Sequence, residues 1–223
     1  MRNARAWVFD AYGTLFDVHA ALARHRAQAG DEAERFSEIW RTKQLEYTWT
    51  MTLAGRYADF WTLTERALEY AFARVPSVDR ALRPKLLEAY LRLDAFAEAR
   101  AALTALKSQN LRLAILSNGS PHMLSSAVEA SGLGDLFDAL LSVDAVHAYK
   151  PRPDVYALVT QRFRLVPSEV VFVSSNRWDV MGAASFGFAT IWINRARVPD
   201  EYSDWPPGRV VASLADLPSL ASS

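Results

Sequence analysis

Four short polar clusters interrupt an otherwise apolar-rich chain of 223 residues. In order they are Asp10-Ala11-Tyr12-Gly13-Thr14, Ser117-Asn118-Gly119, Lys150 within Tyr149-Lys150-Pro151, and Ser174-Ser175-Asn176-Arg177-Trp178-Asp179. Together they offer carboxylates, an amine, hydroxyls and side-chain amides. Taken singly, each has an ordinary reading. Asp10 can end a strand, Ser117-Asn118-Gly119 is a common turn signal, Lys150 can be a solvated loop residue, and Asp179 can cap a helix. Four such clusters in this order argue for one site. The missing residue types narrow its chemistry. The chain has no cysteine, which removes disulfides, thiolate zinc sites and a cysteine nucleophile. His19, His25, His122 and His147 match no metal-ligand spacing and supply no histidine base, so a Ser-His-Asp hydrolase has no support.

The clusters need elements to hold them. Trp7-Val8-Phe9 reads as a buried strand whose carboxyl end opens into a tight turn at Asp10. About eighty residues of helical character follow. Asp31 is expected to cap a helix that carries Phe36, Ile39, Trp40 and Tyr47. Residues 59–75 read as a second helix ending at Pro76, and a third carries Leu82, Leu86, Tyr90 and Leu93. From about residue 94 the rhythm becomes helix then strand. Residues 97–108 are helical, with Asn110 suited to the left-handed position that ends a helix. Residues 111–116 read as a strand, and Ser120-Pro121 as a cap with a first-turn proline. Residues 140–143 make a weak strand, 153–163 a helix, 170–173 a strand, 179–186 a short helix and 190–193 a strand. Ser213 to Asp216 fits a capping box for a terminal helix.

This alternation predicts an α/β fold: a Rossmann-like parallel sheet with helices on both faces, binding its ligand at the carboxyl ends of the strands. The helical block interrupting it is expected to be an inserted cap. Residues 1–15 and 97–223 would form the core and 16–96 the cap. Lys+Arg and Asp+Glu balance at 25 each, which gives no electrostatic case for nucleic acid or an anionic membrane as main partner. No segment approaches the ~20 apolar residues of a membrane span, and the apolar run at Trp7 is too short for a signal-peptide core. A soluble, cytoplasmic protein is expected.

The order of the clusters resembles the haloacid dehalogenase superfamily, whose first motif is D-x-D-x-T or a variant, followed by Ser/Thr, Lys and acidic motifs. Here Tyr12 stands where the phosphatase branch has its second acid. A phosphatase must protonate an alkoxide leaving group, whereas halide leaves without a proton. Counting back four from Asp179 gives Ser175, where phosphatases of this superfamily hold Mg²⁺ with an Asp. That hard cation is usually bound by one or two carboxylates plus phosphate, so no metal and no cofactor are expected.

The run Ser174-Ser175-Asn176-Arg177-Trp178-Asp179, and Arg41 within Ile39-Trp40-Arg41-Thr42-Lys43-Gln44-Leu45, closely resemble the type II L-2-haloacid dehalogenases over essentially the whole chain. The resemblance implies that Asp10 attacks the Cα of a short (S)-2-haloacid, giving an ester, inversion and an (R)-2-hydroxyacid. It implies that Arg41 and Asn118 cradle the halide, with Trp178 and Phe60 walling the pocket. Ser117 and neighbouring backbone amides would bind the substrate carboxylate. Lys150 would keep Asp10 ionised, with Ser174 and Asn176 in support. Thr14 would orient Asp10, Asp179 would activate the hydrolytic water, and Ala11, Tyr12 and Tyr156 would line the site. A homodimer is implied too. The physics is consistent, since a carboxylate is a strong enough nucleophile only in a dry, pre-aligned site. Arg41 also brings five fixed donors to an anion pocket. Two other readings stay open: a Mg²⁺-dependent phosphatase or phosphonatase of the same superfamily, and a catalytically silent binding module.

Overall fold

The computed structural model describes residues 4–221. Residues 1–3 and 222–223, expected to fall at the ends of the core, lie outside it. The chain opens with β1 (Ala6–Phe9), every residue of which is buried. A helical block follows: α1 (Ala20–Ala23), α2 (Arg26–Ala29), α3 (Ala33–Leu53), α4 (Phe60–Arg74) and α5 (Arg83–Leu91). The remainder alternates as α6 (Ala99–Lys107), β2 (Arg112–Ser117), α7 (Pro121–Ala130), β3 (Ala139–Ser142), α8 (Pro153–Phe163), β4 (Val170–Ser174), α9 (Arg177–Phe186) and β5 (Ala189–Ile193), then β6 (Arg209–Val211) and α10 (Leu217–Ala221).

The sheet order is β3-β2-β1-β4-β5-β6, and every adjacent pair is parallel. Helix-covered parallel strands read as continuous apolar runs, as in the fully buried Val170–Ser174. The order reverses at β1, which lies between β2 and β4, so a crevice opens at the carboxyl end of that strand. Register then fixes the site. Phe9 is level with Ile115 and with Val173, so Asp10, Leu116 and Ser174 emerge at one height.

In the helical block, α3 and α4 pack through Phe36 against Phe72, edge to face at 4.9 Å. A buried polar chain crosses the pair. Trp40 Nε1 donates to Thr64 O, Gln44 Nε2 to Thr64 Oγ1 and Tyr90 Oη to Gln44 Oε1. The block joins the sheet through two crossing linkers. Phe16 bridges Ala95 antiparallel, Asp17 N donates to Asp94 O, and Phe96 N donates to Leu15 O.

Several local expectations hold. Ser120 caps α7, Asn110 takes φ +59°, and Ser213 with Asp216 forms the capping box; the helix expected over 59–75 forms, with Asp59 as its cap through Thr62 N. Others are corrected. Asp31 does not cap α3; Glu32 holds that position without a side-chain cap, and buried Phe36 and Trp40 fix the helix instead. Leu93 is buried beyond the end of α5. Helix α9 starts at Arg177, two residues before Asp179. Strand β6 was not anticipated, because three residues on a largely exposed edge carry no alternation.

Helices α8 and α9 meet closely at Gly182. A methyl there would overlap the Tyr156 hydroxyl and the Pro151 ring, and overpacking of this kind costs about 1–3 kcal/mol. Gly182→Ala should lower the urea midpoint by a corresponding amount without changing the slope.

Candidate active site

Asp10 leaves β1 with its amide donating to Val173 O at 2.9 Å. Its side chain is 7% exposed, and its two oxygens are treated unequally. Oδ2 accepts from Thr14 Oγ1 at 2.9 Å, Asn176 Nδ2 at 2.8 Å and Ser174 Oγ at 3.3 Å. Oδ1 accepts from Lys150 Nζ at 3.1 Å. Gly13 turns the chain at φ +89°, a conformation that strains other residues. The turn is tied to the β4 end by Ser175, whose amide donates to Thr14 Oγ1 and whose hydroxyl donates to Gly13 O.

Lys150 is buried, and its ammonium reaches Asp179 Oδ2 at 2.8 Å as well as Asp10. Burial opposes that charge, but the carboxylates of Asp10 and Asp179 outweigh it and hold the lysine pKa above its ordinary value. Asp179 lies in the first turn of α9 with no solvent exposure. Burial pushes its pKa up to about 6, with Lys150 pulling downward and the charge of Asp10 pushing upward. Tyr156 Oη donates to Asp179 Oδ1 at 2.8 Å. Asn176, at the cap position of α9, makes no side-chain cap. Its amide side chain goes instead to Asp10 and to Tyr12 O.

In front of Asp10 is a small cavity of about 10 Å³, room for about one water. The sheet side supplies Asp10, Tyr12, Ser117, Asn118, Asn176 and Trp178; the helical block supplies Arg41, Leu45 and Phe60. Asn118 Oδ1 accepts from the Lys150 amide, which leaves its Nδ2 as the free end. Arg41 Nη2 donates to Tyr12 O at 3.3 Å. Among the described residues four buried side-chain polar atoms lack a partner, and three lie at or beside this cavity: Tyr12 Oη, Arg41 Nη1 and Trp49 Nε1. Trp49 packs edge-on against Trp178 at 5.5 Å. All three are donors. A small cavity with unused donors opposite a carboxylate suits an anionic ligand that has an electrophilic atom. A larger groove, about 760 Å³, includes Arg24, Asp94, Arg100 and Glu129. It contains no residue of the four clusters, so size does not identify the site.

The structure thus gathers Asp10, Tyr12, Arg41, Phe60, Ser117, Asn118, Asn176 and Trp178 around one cavity, with Thr14, Ser174, Lys150 and Asp179 behind the first carboxylate. Ala11 is buried at the turn, where its carbonyl accepts from Thr14, Leu15 and Phe16. Tyr156 does not line the cavity as expected. It sits behind Asp179, edge-on to Phe172 and Phe188. Leu45 and Trp49 escaped notice although they follow Arg41 at four-residue steps on α3, a helix-face signal readable in the sequence.

The sequence profile of the haloacid dehalogenase-like hydrolases matches residues 4–187. The chain belongs to that family. Among relatives of this haloacid dehalogenase-like hydrolase, (S)-2-haloacid dehalogenase 1 of Pseudomonas sp. (strain CBS-3) is 48% identical, covering 99% of this chain and 97% of the relative. The (S)-2-haloacid dehalogenase 4A of Burkholderia cepacia is 47% identical over 98% and 96%. The structure of L-2-haloacid dehalogenase from Xanthobacter autotrophicus with chloropropionic acid covalently bound superposes with a TM-score of 0.90, at 40% identity and 99% coverage of both chains. Within the haloacid dehalogenase-like frame, Tyr12 replaces the acid of D-x-D-x-T. Its ring stacks on Tyr90 at 5.8 Å and also meets Phe60. Ser175 is engaged with Thr14 and Gly13, so no further carboxylate stands at that position. Among the described residues no group of three or more His, Asp or Glu is arranged to hold a metal. None of their helices is long and apolar enough to cross a membrane.

Carboxyl-carbon NMR of the free protein should show Asp179 titrating near pH 6, identified by loss of the signal in Asp179→Asn. Lys150→Met removes the nearby positive charge, so the midpoint should move upward. A downward move would contradict the pull of Lys150 on that carboxylate.

Proposed function

We propose that this chain hydrolyses short (S)-2-haloacids to (R)-2-hydroxyacids and halide through an ester on Asp10. One observation carries the reading: a buried carboxylate with one oxygen held by three donors and the other by Lys150 alone borders a small cavity that Arg41, with an unpartnered guanidinium nitrogen, also lines. Oδ2, with three donors, is the held oxygen; Oδ1 is the nucleophile. Its electron pair forms the bond to Cα on the side opposite the halogen, and the carbon–halogen bond breaks with both electrons going to halide. Arg41 Nη1 and Asn118 Nδ2 receive that anion, beside Trp178 and Phe60. Charge-assisted bonds of this sort contribute about 1.5–3 kcal/mol each. Ser117 and adjacent amides hold the substrate carboxylate.

The ester is then cut at Cγ of Asp10. Asp179 accepts a proton from the attacking water, and Thr14, Ser174 and Asn176 stabilise the charge that develops on Oδ2. The Cγ–Oδ1 bond breaks, so the product keeps Oδ1. Lys150, within reach of both Oδ1 and Asp179, returns the proton to the departing alkoxide. Halide needs no proton to leave, and the substrate brings no phosphate, so Tyr12 and Ser175 suit this reaction without a metal. Residues 1–15 and 97–223 act as the catalytic core, with 16–96 as the cap that excludes water. The family resemblance supports a homodimer, and the balanced charge and the lack of a long apolar segment support a cytoplasmic chain with no nucleic acid or membrane partner.

Chloride should appear from (S)-2-chloropropionate in the presence of EDTA; turnover of a phosphate ester only with Mg²⁺ would favour the phosphatase reading instead. In a single turnover in H₂¹⁸O with enzyme in excess, the label should enter Asp10 and be absent from the hydroxyacid, and Asp10→Asn should abolish turnover while remaining folded. Label in the hydroxyacid would mean that water attacks Cα directly.

Ester hydrolysis needs ionised Asp179, so its rate should fall about tenfold per pH unit below pH about 6. Asp179→Asn should show a halide burst of near-normal rate followed by slow turnover. Equal slowing of burst and turnover would remove Asp179 from the second step.

A further inference from the structure

The turn that aims Asp10 leaves carbonyls that its own amides do not satisfy, and buried carbonyls need partners. Ala11 O and Phe16 O are bonded by amides of the turn itself, and Leu15 O by Phe96 N. Tyr12 O accepts from Arg41 and Asn176. Gly13 O and Thr14 O remain. Ser175 Oγ reaches the first, and Arg195, just beyond β5, reaches both, with Nη1 at 3.2 Å from Gly13 O and Nη2 at 3.0 Å from Thr14 O. Among the described residues no other donor bonds Thr14 O.

The same guanidinium grips the returning linker. It lies 3.7 Å over the Phe96 ring and bonds Glu98 Oε1 at 3.3 Å, an oxygen also held by Ser213 Oγ. Arg195 therefore spans the point where the chain leaves the sheet for the helical block and the point where it comes back. We infer that Arg195 is a positioning residue for the nucleophile: it fixes Thr14, whose hydroxyl aligns Asp10 Oδ2, and locks that turn to the linker at Phe96. This rests on the dehalogenase reading. The rigid planar fork is what serves two carbonyls, a carboxylate and a ring face together; a lysine cannot do so.

The role is distinguishable from simple stabilisation. Displacing a reacting group by about 1 Å can cost about 100-fold in rate. Arg195→Met should therefore lower the single-turnover rate of halide release by about 10–100-fold at a temperature where it is fully folded, with Arg195→Lys in between. Binding of unreactive propionate should be unchanged, since Arg41, Ser117 and Asn118 are not displaced. Guanidinium ion at sub-denaturing concentration should restore part of the rate to Arg195→Ala. Val128→Ala, a buried control on α7, should lose stability without losing rate. A folded Arg195→Met that releases halide at the wild-type rate overturns the inference, as does a parallel loss of propionate affinity and melting temperature with the rate per bound substrate intact. Should the wild-type protein itself release no halide, the dehalogenase reading fails, and amide hydrogen exchange decides the clamp separately. Faster exchange at residues 13–17 and 94–97 in Arg195→Met supports it, and unchanged exchange there removes it.

Discussion

One buried ammonium, Lys150 Nζ, lies between the carboxylates of Asp10 and Asp179, and the rest of the site is arranged around that triad. Removing one member of a buried ionic cluster leaves an uncompensated charge, typically a loss of about 3–5 kcal/mol. The triad does not stand alone. Oδ2 of Asp10 takes three further hydrogen bonds and Oδ1 of Asp179 takes one from Tyr156, so few carboxylate lone pairs are left bare. The two acids differ because their surroundings differ. Asp179 is sealed from solvent, and burial dominates its proton affinity. Asp10 borders the cavity and spends one oxygen on a ring of donors. The proposed reaction uses these two carboxylates, sharing one lysine, as nucleophile and base.

The strands and the four clusters were legible because both follow from local rules. A helix-covered parallel strand must be apolar along its length, and its carboxyl end must open where ligand binds. Trp7-Val8-Phe9 before Asp10 and Val170 to Val173 before Ser174 show both features in the bare sequence. The cap on α7 was legible for the same reason, since Ser120 satisfies an amide only a few residues away. The family resemblance supplied roles that spacing alone leaves open, Arg41 above all.

What escaped notice depends on contacts distant in sequence. Arg195 meets Gly13 and Thr14 across 182 and 181 positions, and nothing near Asn194 in the chain announces a partner at the first turn. Tyr156 read as a pocket residue because it is polar and aromatic near Lys150, yet its ring is enclosed by Phe172, Phe186 and Phe188, and only its hydroxyl serves the site. Asp31 offered a good cap in isolation. Burial of Phe36 and Trp40 set the start of α3 instead, a case of tertiary packing overriding a local preference worth about 1 kcal/mol.

The unpartnered donors connect stability to catalysis. A buried donor without an acceptor costs about 1–3 kcal/mol, and Tyr12 Oη, Arg41 Nη1 and Trp49 Nε1 are all in that condition. Their disposition is uneven: a guanidinium and a phenol line the cavity itself, while the indole braces Trp178 at its wall. A neutral ligand of the same shape would leave the guanidinium unmatched. In the proposed reaction, an anion whose charge shifts toward Arg41 gains most when the halide has nearly separated, because a bond to a covalently held halogen is weak and a bond to the free ion is strong. Interactions that strengthen along the reaction path raise the rate as well as the affinity. On the dehalogenase reading, the cost of leaving these donors unmatched and the acceleration of halide departure are two consequences of one arrangement of donors, and the carboxylate opposite them is the group that sets the charge in motion.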